Sequence, residues 1–303
     1  MAYQLEPHEA PAAGIRRIAC ECLDKIDEAL QGADCQVDEA VHESRKQLKK
    51  LRSLIRLVRP VLGGGIYRIE NRCYADAGRL LAPFRDAMAR VELVEKLIED
   101  PDDGDRANEA LKICAVGLRI EHEKTIARDN SAQAREEVAG MLAKARRRID
   151  DWPIDKTQEF GLFRQGLKQV YRRGRKSLSR AFGDPTVEHL HEWRKQCKYL
   201  RHQMNLLAPT WPPYFELAET TLHELTNHLG DDHDLAVLRE TLPKKGAGDG
   251  LTTSQLRSLD EALDSRHREL IDLAFPLGRR IFAEKPKPFV CRMAAYWDCR
   301  PTT

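Results

Sequence analysis

Apolar residues recur at spacings of three and four along almost the whole chain, which is the period of one face of an α-helix. Alternating apolar and polar residues bounded by tight turns, the pattern of a strand, are hard to find. The pattern therefore predicts an all-α fold of roughly nine or ten helices.

Helix breakers divide the predicted helices. The final segment, 286–303, lacks a clear period, and we expect it to be irregular, with Phe289, Tyr296 and Trp297 packing back on the body. The glycine, proline and acidic clusters that act as breakers lie at 60–65, 101–105, 152–153, 183–185, 209–213 and 244–250.

A repeated segment is the most informative feature of the sequence. Residues 41–60 read VHESRKQLKKLRSLIRLVRP and residues 190–209 read LHEWRKQCKYLRHQMNLLAP, identical at ten of twenty positions without a gap. Downstream, LAPFRDA at 81–87 roughly matches LGDDHDL at 229–235 and pairs Asp86 with Asp234. The repeat predicts an internal duplication, with one half at 1–152 and the other at 153–303.

Both copies place cations on one side of a helix and apolar residues on the other. At about 1.5 Å per residue the first strip is about 21 Å long, which is too long for a pocket that holds one small anion. The opposite side of the first copy carries Leu48, Leu51, Leu54, Ile55 and Val58, and that of the second Leu200, Met204 and Leu207. The first strip consists of His42, Arg45, Lys46, Lys49, Arg52 and Arg56. The second consists of His191, Arg194, Lys195, Lys198, Arg201 and His202.

Like charges three or four residues apart destabilise a helix, so something must balance each strip. A solvated face, or acidic neighbours such as those at 92–109, would be the simplest explanation. Because the same His, Arg and Lys register occurs twice, we favour a polyanionic ligand. A third cationic helix, predicted over 164–180, leads into the second copy and should be its neighbour; it contributes Arg172, Arg173, Arg175 and Lys176.

Bulk composition adds little to this prediction. The net charge is only +2, from 50 Lys and Arg against 48 Asp and Glu, so the distribution of charge and not its total points to an anion. Eight cysteines are scattered without a CxxC pair, which favours reduced thiols over zinc ligands. Since no run of eighteen apolar residues and no leader-like segment occurs, we expect a cytoplasmic protein without a membrane partner.

The motifs HESRKQLKKLR at 42–52, LHEWRKQCKYLR at 190–201, YRRGRK at 171–176 and Arg85-Asp86 resemble those of the CHAD family, the conserved-histidine α-helical domain. The resemblance spans about residues 15–285. It implies two helical bundles related by a pseudo-twofold axis, with a central basic groove that binds inorganic polyphosphate. The expected function involves no catalysis, cofactor or metal, and polyphosphate granules become a candidate location. The resemblance assigns binding to the residues of the two strips and to the four cations of the third helix.

The second copy departs from the first at several positions. Asn205 stands where the first copy has Arg56, and His233-Asp234 replaces Arg85-Asp86. The first half also has no counterpart of YRRGRK, so we expect an asymmetric site. His42 and His191 are predicted to donate to the anion, which would favour their protonated form; a histidine bonded within a helix interface is the alternative.

Two other functions fit parts of the sequence. A helical metal phosphohydrolase would use the cluster of His223, His228, Asp231, Asp232 and His233-Asp234, although Asp86 and Asp234 are equally explained as helix caps or ion-pair partners. Nucleic-acid binding is disfavoured, because only Trp193 and Tyr199 lie near a strip and no helix-turn-helix or zinc module occurs. A partner triphosphate-processing barrel is disfavoured as well, since Glu121 and Glu123 lie in a helical pattern.

Overall fold

The computed structural model describes residues 3–31, 37–99, 104–127, 130–155, 159–241 and 250–300. Over these residues the chain forms α-helices joined by short connections and contains no strand, which confirms the all-α prediction. The helices of the described residues are α1 (Pro11–Gln31), α2 (Val37–Leu57), α3 (Arg59–Leu80), α4 (Ala82–Glu99), α5 (Gly104–Ala127), α6 (Asn130–Ile149), α7 (Gly161–Gly183), α8 (Val187–Leu207), α9 (Pro212–Thr241), α10 (Thr253–Ile281) and α11 (Pro286–Asp298).

The two copies of the repeat form α2 and α8, and the predicted apolar side of each is buried. Leu51, Leu54 and Ile55 of α2 are fully inaccessible to solvent, and Leu200 and Met204 of α8 nearly so. Burying such side chains contributes about 1.5–3 kcal/mol each. The cations are consequently left on the remaining face of each helix.

Two hydrophobic clusters hold the helices together, and each takes residues from both predicted halves. The larger joins α1, α2, α3 and α6 to α7, α8 and α11. The smaller joins α4 and α5 to the end of α9 and the start of α10. The halves therefore share their cores, and the duplication and its boundary at 152–153 stay predictions.

The predicted break at 60–65 lies at Gly63, whose non-helical backbone separates the first turn of α3 from the rest of the helix. Here α2 ends at Leu57 and α3 begins at Arg59, with Pro60 in its first turn. Gly63 forms a kink inside α3 at φ +78°, a conformation that a residue without a Cβ adopts at little cost. Proline in the first turn suits a helix, so the chain restarts at once after Val58.

The prediction of an irregular tail is wrong for 286–298, which forms α11. Pro286 again lies in the first turn of the helix. The predicted packing is present, since Phe289 and Trp297 are buried and Phe289 stacks on Tyr171 of α7 at 3.8 Å between ring centres. Residues 301–303 lie outside the described part of the chain.

The crossing of α2 and α8 positions the cationic faces. Ser53 Oγ donates to the Tyr199 carbonyl at 2.9 Å, and Gln203 Nε2 donates to the Ser53 carbonyl at 3.4 Å. Both bonds are buried, so breaking either would leave an unsatisfied polar group and they fix the register of the two helices. Near the end of α2, α7 approaches so closely that a Cβ on Gly166 would overlap the Leu57 carbonyl.

Candidate functional site

Four cations meet where α2 and α8 cross, and we name Arg45, Lys49, Arg194 and Lys198 the basic cluster. Partial burial, together with Arg45 and Arg194, lowers the pKa of Lys49 to about 8. Burial, Arg194 and Lys49 lower the pKa of Lys198 to about 6. Because each lysine is repelled by a cation of the other helix, the two strips converge.

Carboxylates compensate the basic cluster only in part. Arg45 Nη2 lies 3.3 Å from Asp86 Oδ1, and its Nη1 donates to the Gly78 carbonyl at 3.2 Å. Over the described part of the chain, no carboxylate comes within 4.0 Å of Lys49, Arg194 or Lys198. A ligand can reach the group, since Lys49 is exposed and the other three are partly so.

The guanidinium of Arg194 rests on Gly230 of α9. A Cβ at position 230 would lie 2.8 Å from Arg194 Nη2, which is too close for an undisturbed contact. Burial lowers the pKa of Arg194, while Asp234 opposes the shift. The Nε atoms of both Arg194 and Arg45 are buried without a hydrogen-bond partner among the described residues, so only their terminal Nη groups can reach a ligand.

Arg85 and His233 lie beside the basic cluster and were not among the predicted binding residues. Arg85 donates to both oxygens of Glu92, at 2.8 and 2.6 Å, and lowers the pKa of both His42 and Lys49. His233 lies 4.7 Å from the ring of His191. Both residues occupy the same position of the matched segments LAPFRDA and LGDDHDL, so that match could have indicated them.

The predicted histidines on the strips are poor proton acceptors in the ligand-free protein. Burial lowers the pKa of His42 and of His191, and nearby cations lower each further. His202 is enclosed against Tyr3, with ring centres 6.0 Å apart, and burial lowers its pKa to about 3. His42 and His191 thus stay near the cluster as candidates, whereas His202 is a neutral interior residue.

Cations continue beyond the basic cluster at the end of α2. Asn71 Oδ1 accepts from Arg56 at 3.1 Å and from Arg52 at 3.5 Å. Arg56 stacks on Tyr199 at 4.1 Å, and burial lowers its pKa, with Arg52 and the exposed Arg173 of α7 adding to the shift.

The second copy lacks this extension, as its departure from the first suggested. Asn205 accepts from Gln4 Nε2 at 3.1 Å and faces the N-terminal segment.

Several predicted binding residues are engaged by local partners. Lys46 Nζ lies 2.9 Å from Glu43, Lys195 pairs with Glu192, and Arg201 Nε lies 2.5 Å from Glu219. These three remain at the margin of the strips, but their charge is already balanced.

The four predicted cations of α7 divide into two groups. Arg175 donates to the carbonyls of Phe282 at 2.7 Å and Ala283 at 3.0 Å, so it closes the end of α10 and does not join the cluster. Its guanidinium is oriented by unsatisfied helix-end carbonyls, a tertiary contact that spacing alone does not reveal. Arg172, Arg173 and Lys176 are exposed, and Arg173 lies near enough to Arg56 to lower its pKa.

The residues proposed for a metal site on α9 point in different directions. Asp231 pairs with Lys96 at 2.5 Å, Asp232 with His267, and His228 lies 3.8 Å from Glu224. Within the described ranges no three His, Cys, Asp or Glu side chains converge as metal ligands. The cap explanation is also wrong, because Asp86 and Asp234 lie inside α4 and α9; Asp86 is an ion-pair partner instead.

The aromatic residues near the second strip are not available for base stacking. Trp193 is fully buried and stacks on Phe275 at 5.4 Å, and Tyr199 lies beneath Arg56. A cavity of about 710 Å³ lies elsewhere, beside Pro7, Pro209 and Trp297, and none of the predicted binding residues lines it. The central groove therefore stays a prediction.

Comparison with known proteins places the chain in a family. The sequence matches the family model of the CHAD domain over residues 17–243, which includes α2, α4, α7, α8 and α9. The chain belongs to the CHAD domain family. In this CHAD domain the matched region thus contains both repeated helices and the basic cluster.

Solved structures share the fold of this CHAD domain at low sequence identity. PptA from Streptomyces chartreusis gives a TM-score of 0.58 at 10% identity over 91% of this chain and 100% of that chain. The crystal structure of the CHAD domain from the plant Ricinus communis gives a TM-score of 0.56 at 16% identity, over 93% of this chain and 95% of that chain. Among curated proteins, none matches the sequence.

Two further observations bear on the environment of the protein. None of the helices in the described ranges combines the length and apolarity required to cross a bilayer. Seven cysteines are free thiols, and Cys35 lies outside the described residues.

Proposed function

We propose that this CHAD domain binds inorganic polyphosphate at the basic cluster and leaves it chemically unchanged. The observation that carries the proposal is the meeting of Lys49 and Lys198, each with a lowered pKa and neither paired with a carboxylate of the described residues. Gathering like charges at one partly buried crossing is unfavourable unless a counter-charge arrives. A polyanion supplies several negative charges at once.

The chemistry of the cluster suits phosphate. Arginine binds phosphate oxygens through two parallel N–H bonds, and lysine adds a compact charge. Arg52, Arg56 and Arg173 extend the cationic surface from the cluster along α2 toward α7, so a linear chain of phosphates fits better than one small anion. Binding to this ligand would also bring the protein to polyphosphate granules.

The proposal stops at binding, because the carboxylates beside the cluster are directed at its arginines. Asp86 pairs with Arg45, and Asp234 exerts its strongest attraction on Arg194. Hydrolysis by a metal-activated water would need ligands that the α9 residues do not bring together.

Replacing Arg45, Lys49, Arg194 and Lys198 together by Ala should abolish polyphosphate binding while helicity persists. A matched control removes four cations that each pair with a carboxylate and belong to neither strip: Arg119, Arg146, Arg257 and Arg300. Binding measured by calorimetry at one salt concentration should survive in the control. Equal binding by both variants would refute the site, and phosphate release by the wild type would refute the non-catalytic role.

A further inference from the structure

Lys198 and Lys49 differ from the other two lysines of the strips in what surrounds the amine. Lys195 on the same helix pairs with Glu192, and Lys46 on α2 pairs with Glu43. Lys198 instead faces Arg194, Lys49 and Arg201, and burial together with these cations lowers its pKa to about 6. At neutral pH a larger fraction of its amine is therefore unprotonated, with a free electron pair, than for an ordinary lysine.

Groups that bind phosphate lie beside this amine. Arg194 precedes Lys198 by four residues, which places the two side chains on one face with Cβ atoms about 5–6 Å apart. Gly230 seats the guanidinium of Arg194. Among the described residues no carboxylate lies within 4.0 Å of Arg194, and Arg45 pairs with Asp86 alone. A phosphate held by these arginines would carry any attached group next to Lys198.

We propose that Lys198 is a modification site, at which small acyl phosphates bound by the basic cluster transfer their acyl group to the lysine amine. The inference rests on the proposed function, because the same cations hold the phosphate. Lysines near other cations and away from water are known nucleophiles in enzymes. The cluster supplies this environment together with a binding site for the leaving group.

The reaction balances without a redox partner. The Nζ electron pair attacks the acyl carbon, an N–C bond forms, and the C–O bond to phosphate breaks. Phosphate leaves with that bonding pair, and the nitrogen loses one proton to solvent. The products are an Nζ-acyl-lysine and inorganic phosphate.

Acylation would regulate polyphosphate binding at the same site. The amide is neutral at every pH, so the cluster loses one cation that a polyanion could otherwise restore by favouring protonation. Its acyl group also occupies space between α2 and α8. We therefore expect acylated protein to bind polyphosphate more weakly, and bound polyphosphate to protect Lys198.

The test incubates the full chain with acetyl phosphate and quantifies acetylation at Lys198, Lys195 and Lys46 by mass spectrometry of peptides. At pH 7.5 the initial rate at Lys198 should exceed the other two on the order of tenfold, since a larger unprotonated fraction outweighs the lower nucleophilicity of a weaker base. Inorganic phosphate should suppress the difference. Lys198→Arg confirms the assignment by losing the product.

An uncharged acetylating reagent, the N-hydroxysuccinimide ester of acetate, separates phosphate direction from simple reactivity. The preference for Lys198 should be smaller with this ester than with acetyl phosphate. Arg194→Gln should reduce it with both reagents, because the pKa of Lys198 rises when this cation is removed, but more with acetyl phosphate, because only that reagent also loses its phosphate contact. Equal rates at the three lysines, or an equal preference with both reagents, would overturn the inference.

Polyphosphate binding by unmodified protein is measured separately. Binding without selective acetylation rejects this inference alone, whereas selective, phosphate-suppressible acetylation without polyphosphate binding rejects only the proposed function.

Discussion

At the scale of single residues, the charge on Lys198 opposes folding. Its pKa of about 6 in the folded protein lies far below the value near 10.4 of an unfolded lysine. Between these two values the unfolded chain binds more protons than the folded one. The free energy of unfolding from this group therefore rises as pH increases through that window.

Replacing Lys198 by Met should accordingly stabilise the ligand-free protein while weakening polyphosphate binding. Methionine keeps an unbranched apolar stem and removes the charge. We expect the Tm at pH 6.5 to rise by about 2–4 °C, the effect of roughly 1 kcal/mol in a large domain, and the increase of Tm with pH to flatten. Lys195→Met, which breaks the pair with Glu192, is the control and should show no gain. An unchanged or lower Tm for Lys198→Met would show that the charge on Lys198 does not destabilise the folded protein.

The histidines of the strips lead to a second prediction, which concerns how polyphosphate affinity depends on pH. Burial and neighbouring cations lower the pKa of His42 and His191, so both are neutral in the free protein at pH 7. A bound polyanion favours their charged forms, so binding takes up protons and affinity should rise as pH falls from about 8 to about 5.5. Lys49 and Lys198 should contribute to the same trend, because their pKa values are about 8 and about 6.

The histidine and lysine contributions can be separated by measuring affinity at constant salt across this pH range. The proteins compared are the wild type and the double variant His42→Gln with His191→Gln. The double variant should keep only the dependence that the lysines cause. An identical pH profile in both proteins would remove the donor role of the histidines.

At the scale of helices, the contact between α8 and α9 determines where Arg194 points. Gly230 lies inside α9, where glycine costs about 1 kcal/mol relative to alanine. It leaves room for the guanidinium, since a Cβ would approach Arg194 Nη2 to 2.8 Å. The atom that must move belongs to the end of a flexible side chain, so the helix itself can accept alanine.

Gly230→Ala should thus maintain or raise stability, by up to about 1 kcal/mol, and lower polyphosphate affinity about tenfold, the equivalent of one displaced charge-assisted bond. Gly140→Ala is a matched control, because Gly140 lies inside α6 with no atom within 4 Å of a Cβ. Chemical denaturation and calorimetry on both variants test the prediction. A loss of stability with Gly230→Ala, or unchanged affinity, would show that the glycine does not position Arg194.

Helical periodicity predicted the faces of the helices better than it predicted the partners of their cations. The period placed Leu51 and Leu54 in the core and Lys49 on the opposite side, because all three depend only on spacing within one helix. Arg175 and Arg201 share that cationic pattern, yet one binds the end of α10 and the other binds Glu219. Those partners come from distant parts of the chain, so spacing could not reveal them.

The same limit applies to helix boundaries. The predicted break at 60–65 lies at Gly63, but the sequence did not show that the chain already restarts at Arg59, where Pro60 suits a first turn. The segment 286–298 is too short for a helical period to be recognised in its sequence. In the structure, stacking on Tyr171 stabilises α11. A tertiary contact thus supports the helix of the tail, whereas local proline and glycine geometry sets the boundaries of α3.

At the scale of the whole molecule, a net charge of +2 gives little general attraction for polyanions. Affinity must come from the local concentration of cations at the α2–α8 crossing. The logarithm of the affinity should then fall linearly with the logarithm of salt concentration, by about 0.7 per phosphate neutralised if single-stranded polyanions are a guide. Removing the four cations of the basic cluster should make that slope shallower by about 3.

The arrangement also predicts a preference between polyanions. Single-stranded nucleic acids gain about 1–3 kcal/mol per base by stacking on open aromatic rings, but Trp193 is buried and Tyr199 is covered by Arg56. Polyphosphate needs no such surface, and its directly linked phosphates place more charge along the same length of helix. At one salt concentration and equal total phosphate, unlabelled RNA should therefore displace labelled polyphosphate far less effectively than unlabelled polyphosphate does. Equal displacement would mean that the strip recognises phosphate backbones in general, and the ligand would then have to be sought among nucleic acids as well.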